Sequence, residues 1–549
     1  MIFTSPYPPL TEIPQCNVIE FLFRNPNKIQ DNHPMLVDAV TNECLTYGDL
    51  RQRILEFAAG LQDQCNFKKG DTLLLCSPNH YEYPIPLLGA AAAGGATSPA
   101  NPNYTVQEIL HQLTLTRAKV IIAHADNIDR VLAAASQAGV PRSHIFVLGS
   151  HHGIKGCLSF RVLLGKRTGD ITKLTVEESK TMPAYLCFSS GTTGQSKGVM
   201  TTHANISVNI LQYLAIDGKI INNKKDSTVI TLPMFHIMTL SNILHTSIYT
   251  GTTLYVLKRY DLERFCALVE AKRVPFAYLV PPILLQIAKD PVAQKYDLSS
   301  LKWINSAAAP LGVELLELLK KRLPTTVIKQ AYGSTETSCV TTTEPIDQVV
   351  QGSVGVLSPN MECKIVNEDG KALGPGERGE IWVKGANVMK GYINNPEATR
   401  NSIDEDGFYH TGDVGIIDHQ GHMWIVDRVK ELIKYKGFQV APVELESILV
   451  ESPDIADCAV IGVYDETRAT EIPIAYVKLM PNVPSTVETE QRIKQYLADR
   501  VIAYKRIHQV IFTDTIPRSA AGKILRRILK EQHLKDIKTG KTLSSGAKL

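Results

Sequence analysis

The stretch AYLCFSSGTTGQSKGVM, residues 184–200, joins an apolar run of strand length to a loop of small and hydroxylic residues that closes on Lys197. Glycines in such a loop let backbone N–H groups turn toward an anion, while Ser, Thr and Lys add donors and charge. The spacing is not that of a Walker loop. Counted from Gly191 in G-x-x-x-x-G-K-[ST], the second glycine falls on Ser196 and the metal-binding hydroxyl on Gly198, although Lys197 fits. A P-loop kinase or ATPase is therefore disfavoured, and a strand running into a phosphate-holding loop at its carboxyl end points to an α/β fold.

Working outward, residues 45–350 alternate strand-like apolar runs with helical patterns, as in DTLLLCS (71–77), AKVIIA (118–123) and 229–233. This alternation predicts α/β architecture with largely parallel sheets. From Gly379 short alternating strands with turn residues, GEIWVKG and GHMWIVDR, predict a β-rich subdomain. After Arg428 comes a Lys-rich stretch. An α+β pattern follows: a helix from Pro442, strands at 456–463 and 473–479, and a helix from Glu488. The reading is an α/β chain with a large N-terminal domain over 1–428, of parallel-rich sheets plus a small β-barrel-like subdomain at 379–428. A small mobile α+β domain covers 429–549. No glycine-serine tether separates them, so the hinge falls on a few element-terminal residues.

At 549 residues more than one domain is expected. A formal charge of +3 gives no electrostatic case for nucleic acid. Ten cysteines without a C-x-x-C pair suit a reducing compartment and argue against a disulfide framework or zinc ribbon. The N-terminus lacks the basic start and apolar block of a secretory signal. PLLGAAAAGGA (86–96) is too short to span a bilayer and reads as a packed helix. The ending Ala547-Lys548-Leu549 is similar to the S-K-L peroxisomal address, so a peroxisomal location and an import receptor as partner are expected.

Further stretches share the chain with the opening loop: LPMFHIMTL (232–240), NSAAAPLG (305–312), QAYGSTET (330–337), GFYHTGD (407–413), DRVKELIKYKGFQVAPVELE (427–446) and PRSAAGKILRR (517–527). In this order the sequence resembles the adenylate-forming superfamily, and within it the 4-coumarate:CoA ligases and beetle luciferase. The resemblance implies a carboxylic acid:CoA ligase, an acid-thiol ligase that makes an acyl-adenylate from ATP and then passes the acyl group to coenzyme A. Two other readings share these motifs: a luciferase-like oxidoreductase, and an adenylating enzyme that loads a carrier protein.

The resemblance also implies roles. Ser189, Ser190, Gly191, Thr192, Thr193, Gly194 and Lys197 would hold the β- and γ-phosphates. Ser196 stands where the family has proline, which loosens the loop by about 0.4–1 kcal/mol. Glu336 would bind Mg²⁺, a hard cation that prefers carboxylate oxygen, with Thr335 on the α-phosphate. Ala309, Gln330, Ala331, Tyr332 and Gly333 would surround the nucleotide, Tyr332 lying on adenine. Asp413 would accept the ribose hydroxyls, and Arg428 would take a nucleotide oxygen.

His236 would gate the acyl channel, with Met238, Ala307 and Ala331 lining it. No aspartate follows Phe235 to pair an ammonium group, so an amino acid is not the expected substrate. Ala307 and Ala331 stand where coumarate-type enzymes carry glycine, and each is expected to add a methyl and to remove tolerance for positive φ. A narrower, more apolar pocket follows, for a slim aliphatic or simple aryl acid.

Lys523 would neutralise charge as carboxylate and α-phosphate meet. Lys434 would serve the thioester step, with Lys436 and Gly437 beside the pantetheine arm and Lys430 as the hinge. Arg526, Arg527 and Lys530 read as the solvated side of an amphipathic helix that buries Ile524, Leu525, Ile528 and Leu529.

Overall fold

The computed structural model describes residues 1–538 apart from 150–151, 190–195, 222–225, 310, 429–430, 436–437, 466–467, 469 and 520–521. Its first sheet runs, edge to edge, Lys197–Thr202, Pro183–Ser189, Ala96–Ala100, Thr72–Cys76, Val120–His124, Ile145–Leu148 and Leu158–Ser159. All neighbours are parallel except the first pair. TLLLC and VIIAH are buried at every position, as expected of parallel strands covered on both faces. The small-residue segment forms the helix Pro84–Ala92, wholly buried. A Cβ on Gly89 would stand 2.6 Å from the Phe57 ring, so glycine is what lets this helix approach Tyr47–Cys65.

A second sheet places Phe276–Leu279, Trp303–Ser306 and Val327–Tyr332 side by side in parallel, followed by Thr342–Thr343 and Val356–Leu357 in antiparallel pairing. The helix His203–Asp217 is buried on nearly all sides, and its Tyr213 hydroxyl meets that of Tyr278 on this sheet at 3.1 Å. A smaller sheet orders Ser227–Ile230, Thr253–Val256, Pro34–Asp38 and Cys44–Thr46.

The β-rich part begins earlier than the turn-rich texture suggests. Met361–Val366 pairs with Gly379–Gly385, which pairs with Tyr409–Ile417 and then Met423–Arg428, all antiparallel. The first strand alternates buried and half-buried residues between turns that end at Asn360 and Gly370, a local signal that the reading of the turn-rich texture from Gly379 onward passed over. Phe3–Thr4 completes its edge.

Beyond this lie a hairpin of Ile433–Tyr435 and Phe438–Val440, and a sheet of Ile455–Asp465, Thr470–Leu479 and Gln509–Phe512. Helices Pro442–Val450, Val487–Ala498 and Arg526–Lys538 accompany them. Leu445, Leu449, Cys458, Val460, Val477, Ile493 and Leu497 form a core of this region's own. Among the described residues no helix is long and apolar enough to cross a membrane.

Candidate active site

Two antiparallel strands define the opening loop, with Ser189 directly opposite Lys197. Ser190, Gly191, Thr192, Thr193 and Gly194 lie outside the described residues. A segment far along the chain zips onto the strand that follows the loop. Met200 N donates to Gly391 O (2.9 Å), Lys390 N to Met200 O (3.0 Å) and Ile393 N to Gly198 O (2.8 Å). A Cβ on Gly198 would stand 2.7 Å from Ile393, so this close approach needs glycine. The segment delivers Tyr392. Its ring lies under the Lys197 ammonium, 4.8 Å from Nζ, and its hydroxyl donates to Glu336 Oε1 at 3.1 Å. Nothing in the motif spacing of the sequence signals this link, because the partners are 56 residues or more apart.

Glu336 sits in the turn Thr335–Thr337, its backbone carbonyl taken by Met389 N at 2.7 Å. The chain doubles back so tightly here that a Cβ on Gly333 would fall 1.6 Å from Cys339 O. Thr335 is half-buried beside it.

Tyr332, at the end of its strand, donates to Asp413 Oδ2 at 2.7 Å. Asp413 and Arg428 are cross-strand partners, and Arg428 Nε donates to Asp413 Oδ1 at 3.1 Å. Each Asp413 oxygen keeps a further lone pair for a ligand hydroxyl. Burial alone would lower the Arg428 pKa, but Asp413 and Glu431 outweigh it and the net shift is upward. Burial drives the Tyr332 phenol well above its ordinary value, and Asp413 adds to the effect. Gln330 uses both ends of its amide within the protein: Oε1 accepts from Leu311 N (3.1 Å) and Nε2 donates to Ser353 O (3.0 Å). Its side chain braces Leu311.

Lys523 stands on a tight turn. Ser519 N donates to Lys523 O (2.8 Å), Lys523 N to Ser519 Oγ (3.2 Å), and Gly522 takes φ +81°. Arg518 ties the turn to Asp457 at 2.7 Å and to Gly522 O at 2.9 Å. The turn docks on the large domain, where a Cβ on Gly522 would sit 3.4 Å from Val280. Burial lowers the Lys523 pKa and Arg428 adds to this, while Asp413, Glu336 and Glu431 oppose it. His236, half-buried, is pushed down to about 4 by burial and by Lys523, so its imidazole is neutral at physiological pH. Lys523, Ala309, Tyr332, Gly333, Asp413 and Arg428 all line one cavity of about 620 Å³.

Lys434 is elsewhere. It is exposed on the Ile433–Tyr435 strand, its N–H donating to Glu471 at 2.7 Å and its carbonyl accepting from Thr470 at 2.8 Å. Lys430, Lys436 and Gly437 lie outside the described residues, as do Ala547, Lys548 and Leu549.

Two expectations are corrected. Positive φ is not demanded at Ala307 or Ala331; it falls on Ala308, at +73°, and Ala331 is ordinary strand paired with Thr343. Only the added methyls remain as an effect. Arg526 is not solvated: it is buried between Glu431 and Glu446 (2.7 Å to the latter), with Nε on Val460 O at 3.1 Å. Ile528 is 41% exposed instead. The helix starts at Arg526, so Ile524 and Leu525 precede it and its buried face is that of Arg526, Leu529 and His533.

Comparison with known proteins identifies the family and the fold. Residues 23–393 match the family model of AMP-binding enzymes, and residues 444–523 that of the AMP-binding enzyme C-terminal domain. 4-Coumarate–CoA ligase 1 of Petroselinum crispum is 37% identical over 537 residues, covering 96% of both chains. ATP-bound MatB from Rhodopseudomonas palustris superposes with a TM-score of 0.82 at 26% identity, over 95% of this chain and 99% of that one. The anthranilate CoA ligase AuaEII, solved with anthranoyl-AMP, shares the fold with a TM-score of 0.85 at 23% identity, over 94% and 97%. The chain belongs to the AMP-binding enzymes. It is an AMP-forming acid–thiol ligase that uses ATP and CoA and works through an acyl-adenylate.

Proposed function

We propose that the cleft between the Tyr332–Asp413–Arg428 group and the Lys523 turn is where the acid is adenylated. The carboxylate oxygen bonds to the α-phosphorus of ATP as the bond to the β-phosphate oxygen breaks, and pyrophosphate leaves. The thiol of CoA then attacks the acyl carbon and releases AMP. Such transfers ask a protein mainly for positioning and charge neutralisation. The observation that carries the reading is the docking of the Lys523 turn on Val280, with His236, Glu336, Asp413 and Arg428 all within electrostatic reach of the lysine. Two incoming anions would favour its ammonium form against the burial that now opposes it.

Glu336 would hold Mg²⁺. Among the described residues no group of three or more His, Cys, Asp or Glu could cage a metal. A single carboxylate braced by Tyr392 suits Mg²⁺, which is commonly held by one or two carboxylates together with substrate phosphates. The ion would supply charge neutralisation at the phosphates. Thr335 would meet the α-phosphate, the 189–197 loop the leaving phosphates, and Asp413 the ribose. For the thioester step the C-terminal domain would turn about Lys430 to bring Lys434 inward. A peroxisomal location is part of this proposal and rests on Ala547-Lys548-Leu549; a fluorescent fusion should lose punctate peroxisomal signal when the tripeptide is removed.

Product chromatography with ATP, Mg²⁺ and a panel of acids, each with and without CoA, tests the reading. AMP together with acyl-CoA, formed only when CoA is present, is expected. ADP as product, or no thioester from any acid, would contradict it.

A further inference from the structure

Residues in register on parallel strands share one face of the sheet, and the face recurs every second residue, about 6.6 Å along the strand. Tyr278, Asn305 and Lys329 form one such row. The next row toward the carboxyl ends is Val280, Ala307 and Ala331, and the Lys523 turn docks on its Val280. The upper row therefore lies beside the reacting end of the acid, and the lower row lies where the acid's far end would point.

The lower row is filled. Asn305, Lys329 and Tyr213 are 0% exposed, Asp217 1% and Tyr278 3%, so the row is closed to bulk solvent. Tyr213 and Asp217, one helical turn apart, cover the row from the His203–Asp217 helix. The Tyr213 and Tyr278 hydroxyls meet at 3.1 Å. Lys329 Nζ is paired with Asp217, donates to Glu344 O at 2.7 Å, and lies 5.9 Å from the Tyr213 ring and 6.0 Å from the Trp303 ring. Trp303 in turn meets Tyr278 edge-on and stacks on Phe276. An acid longer than the upper row could enter only by swinging a tyrosine off this ion pair. That would leave buried charge poorly surrounded, a cost that a few buried methylenes do not offset.

We infer that the acyl pocket is closed one row below Ala307 and Ala331 by a Tyr213–Tyr278 floor locked by the buried Lys329–Asp217 pair. The acids accepted are accordingly short-chain, and medium-chain and arylpropenoic acids are excluded. The inference rests on the ligase reading and adds its substrate class.

The test is kcat/KM for acetate, propanoate, butanoate, hexanoate, octanoate and cinnamate in the wild type, Tyr278→Phe and Tyr278→Ala, following AMP and acyl-CoA together. In the wild type, octanoate and cinnamate should fall at least about tenfold below the best short acid, since one methylene alone can discriminate about tenfold or more. Tyr278→Phe keeps the volume and should keep the cut-off. Tyr278→Ala should raise the octanoate-to-butanoate ratio at least about tenfold. Octanoate or cinnamate used by the wild type as well as butanoate would overturn the inference while leaving the ligase intact, and this arm needs no variant to fold. An unchanged ratio in a folded Tyr278→Ala would overturn the assignment of the floor. Failure of every acid to give AMP would instead strike the ligase reading beneath it.

Discussion

Two lysines of the C-terminal region stand in opposite surroundings. Lys523 is on a turn pinned by Arg518 and pressed against Val280, in a cavity shared with Asp413 and Arg428. Lys434 is on the edge of a short hairpin, its backbone bonded to Glu471 and Thr470 and its side chain in solvent. One rigid region cannot offer both to a single reaction centre. On the roles proposed above, this conformation suits the step assigned to Lys523, and the step assigned to Lys434 would need the region to turn. Arg526 links the two settings, since it follows the Lys523 turn and grips Glu431, three residues before Lys434.

The strongest way to break this contrast is to cut that link. Arg526→Met leaves Glu431, Glu446 and Asp427 facing one another without their cation. Loss of one partner from a buried ionic group costs about 3–5 kcal/mol. Thermal denaturation should show the C-terminal region melting first, and unchanged melting would mean that the network is incidental.

Asp427 gives a subtler handle. Burial raises its carboxyl to about 7 from 3.8, with Glu431 and Glu446 assisting and Arg526 opposing. The native state thus keeps a proton that the unfolded chain sheds between about pH 4 and 7. The group's contribution to stability is complete below about pH 4 and is lost as pH rises through about 7. Asp427→Asn cannot ionise, so it should stabilise the protein at pH 8 but not at pH 4, by on the order of 1–3 kcal/mol. Equal melting shifts at both pH values would contradict this.

A smaller effect sharpens the fixed side of the comparison. Tyr392→Phe keeps the ring under Lys197 and removes the hydroxyl, with its bond to Glu336 and its contacts with Ser402 and Tyr409; the Glu336 bond is worth about 1 kcal/mol. The apparent KM for MgATP should rise about fivefold, with no change in the octanoate-to-butanoate ratio.

Much of the frame was legible in the sequence because its signals are local. TLLLC and VIIAH read as buried strands, and the strand at Pro183–Ser189 runs into the loop as its composition predicts. The positions of Tyr332, Asp413 and Arg428 could be marked from their motifs, but their mutual bonding depends on strand register that no local pattern encodes. Tyr392 escaped for the same reason. Lys329 reads as an ordinary surface lysine until its strand is set between two others and its partner arrives from a helix 112 residues away. Arg526 was misread because Ile524 and Leu525, counted toward the helix face, precede the helix, and because its partners Glu431 and Glu446 lie 80 residues or more away.

Separating the two half-reactions tests the division of labour between the two lysines most directly. ATP–pyrophosphate exchange with a short acid reports adenylation, and thioester formation from supplied acyl-adenylate and CoA reports the second step. Lys523→Ala should lose the exchange by about 10²–10³-fold and keep most thioester formation, while Lys434→Ala should do the reverse. Equal loss of both half-reactions in both variants would contradict the division of labour between the two lysines.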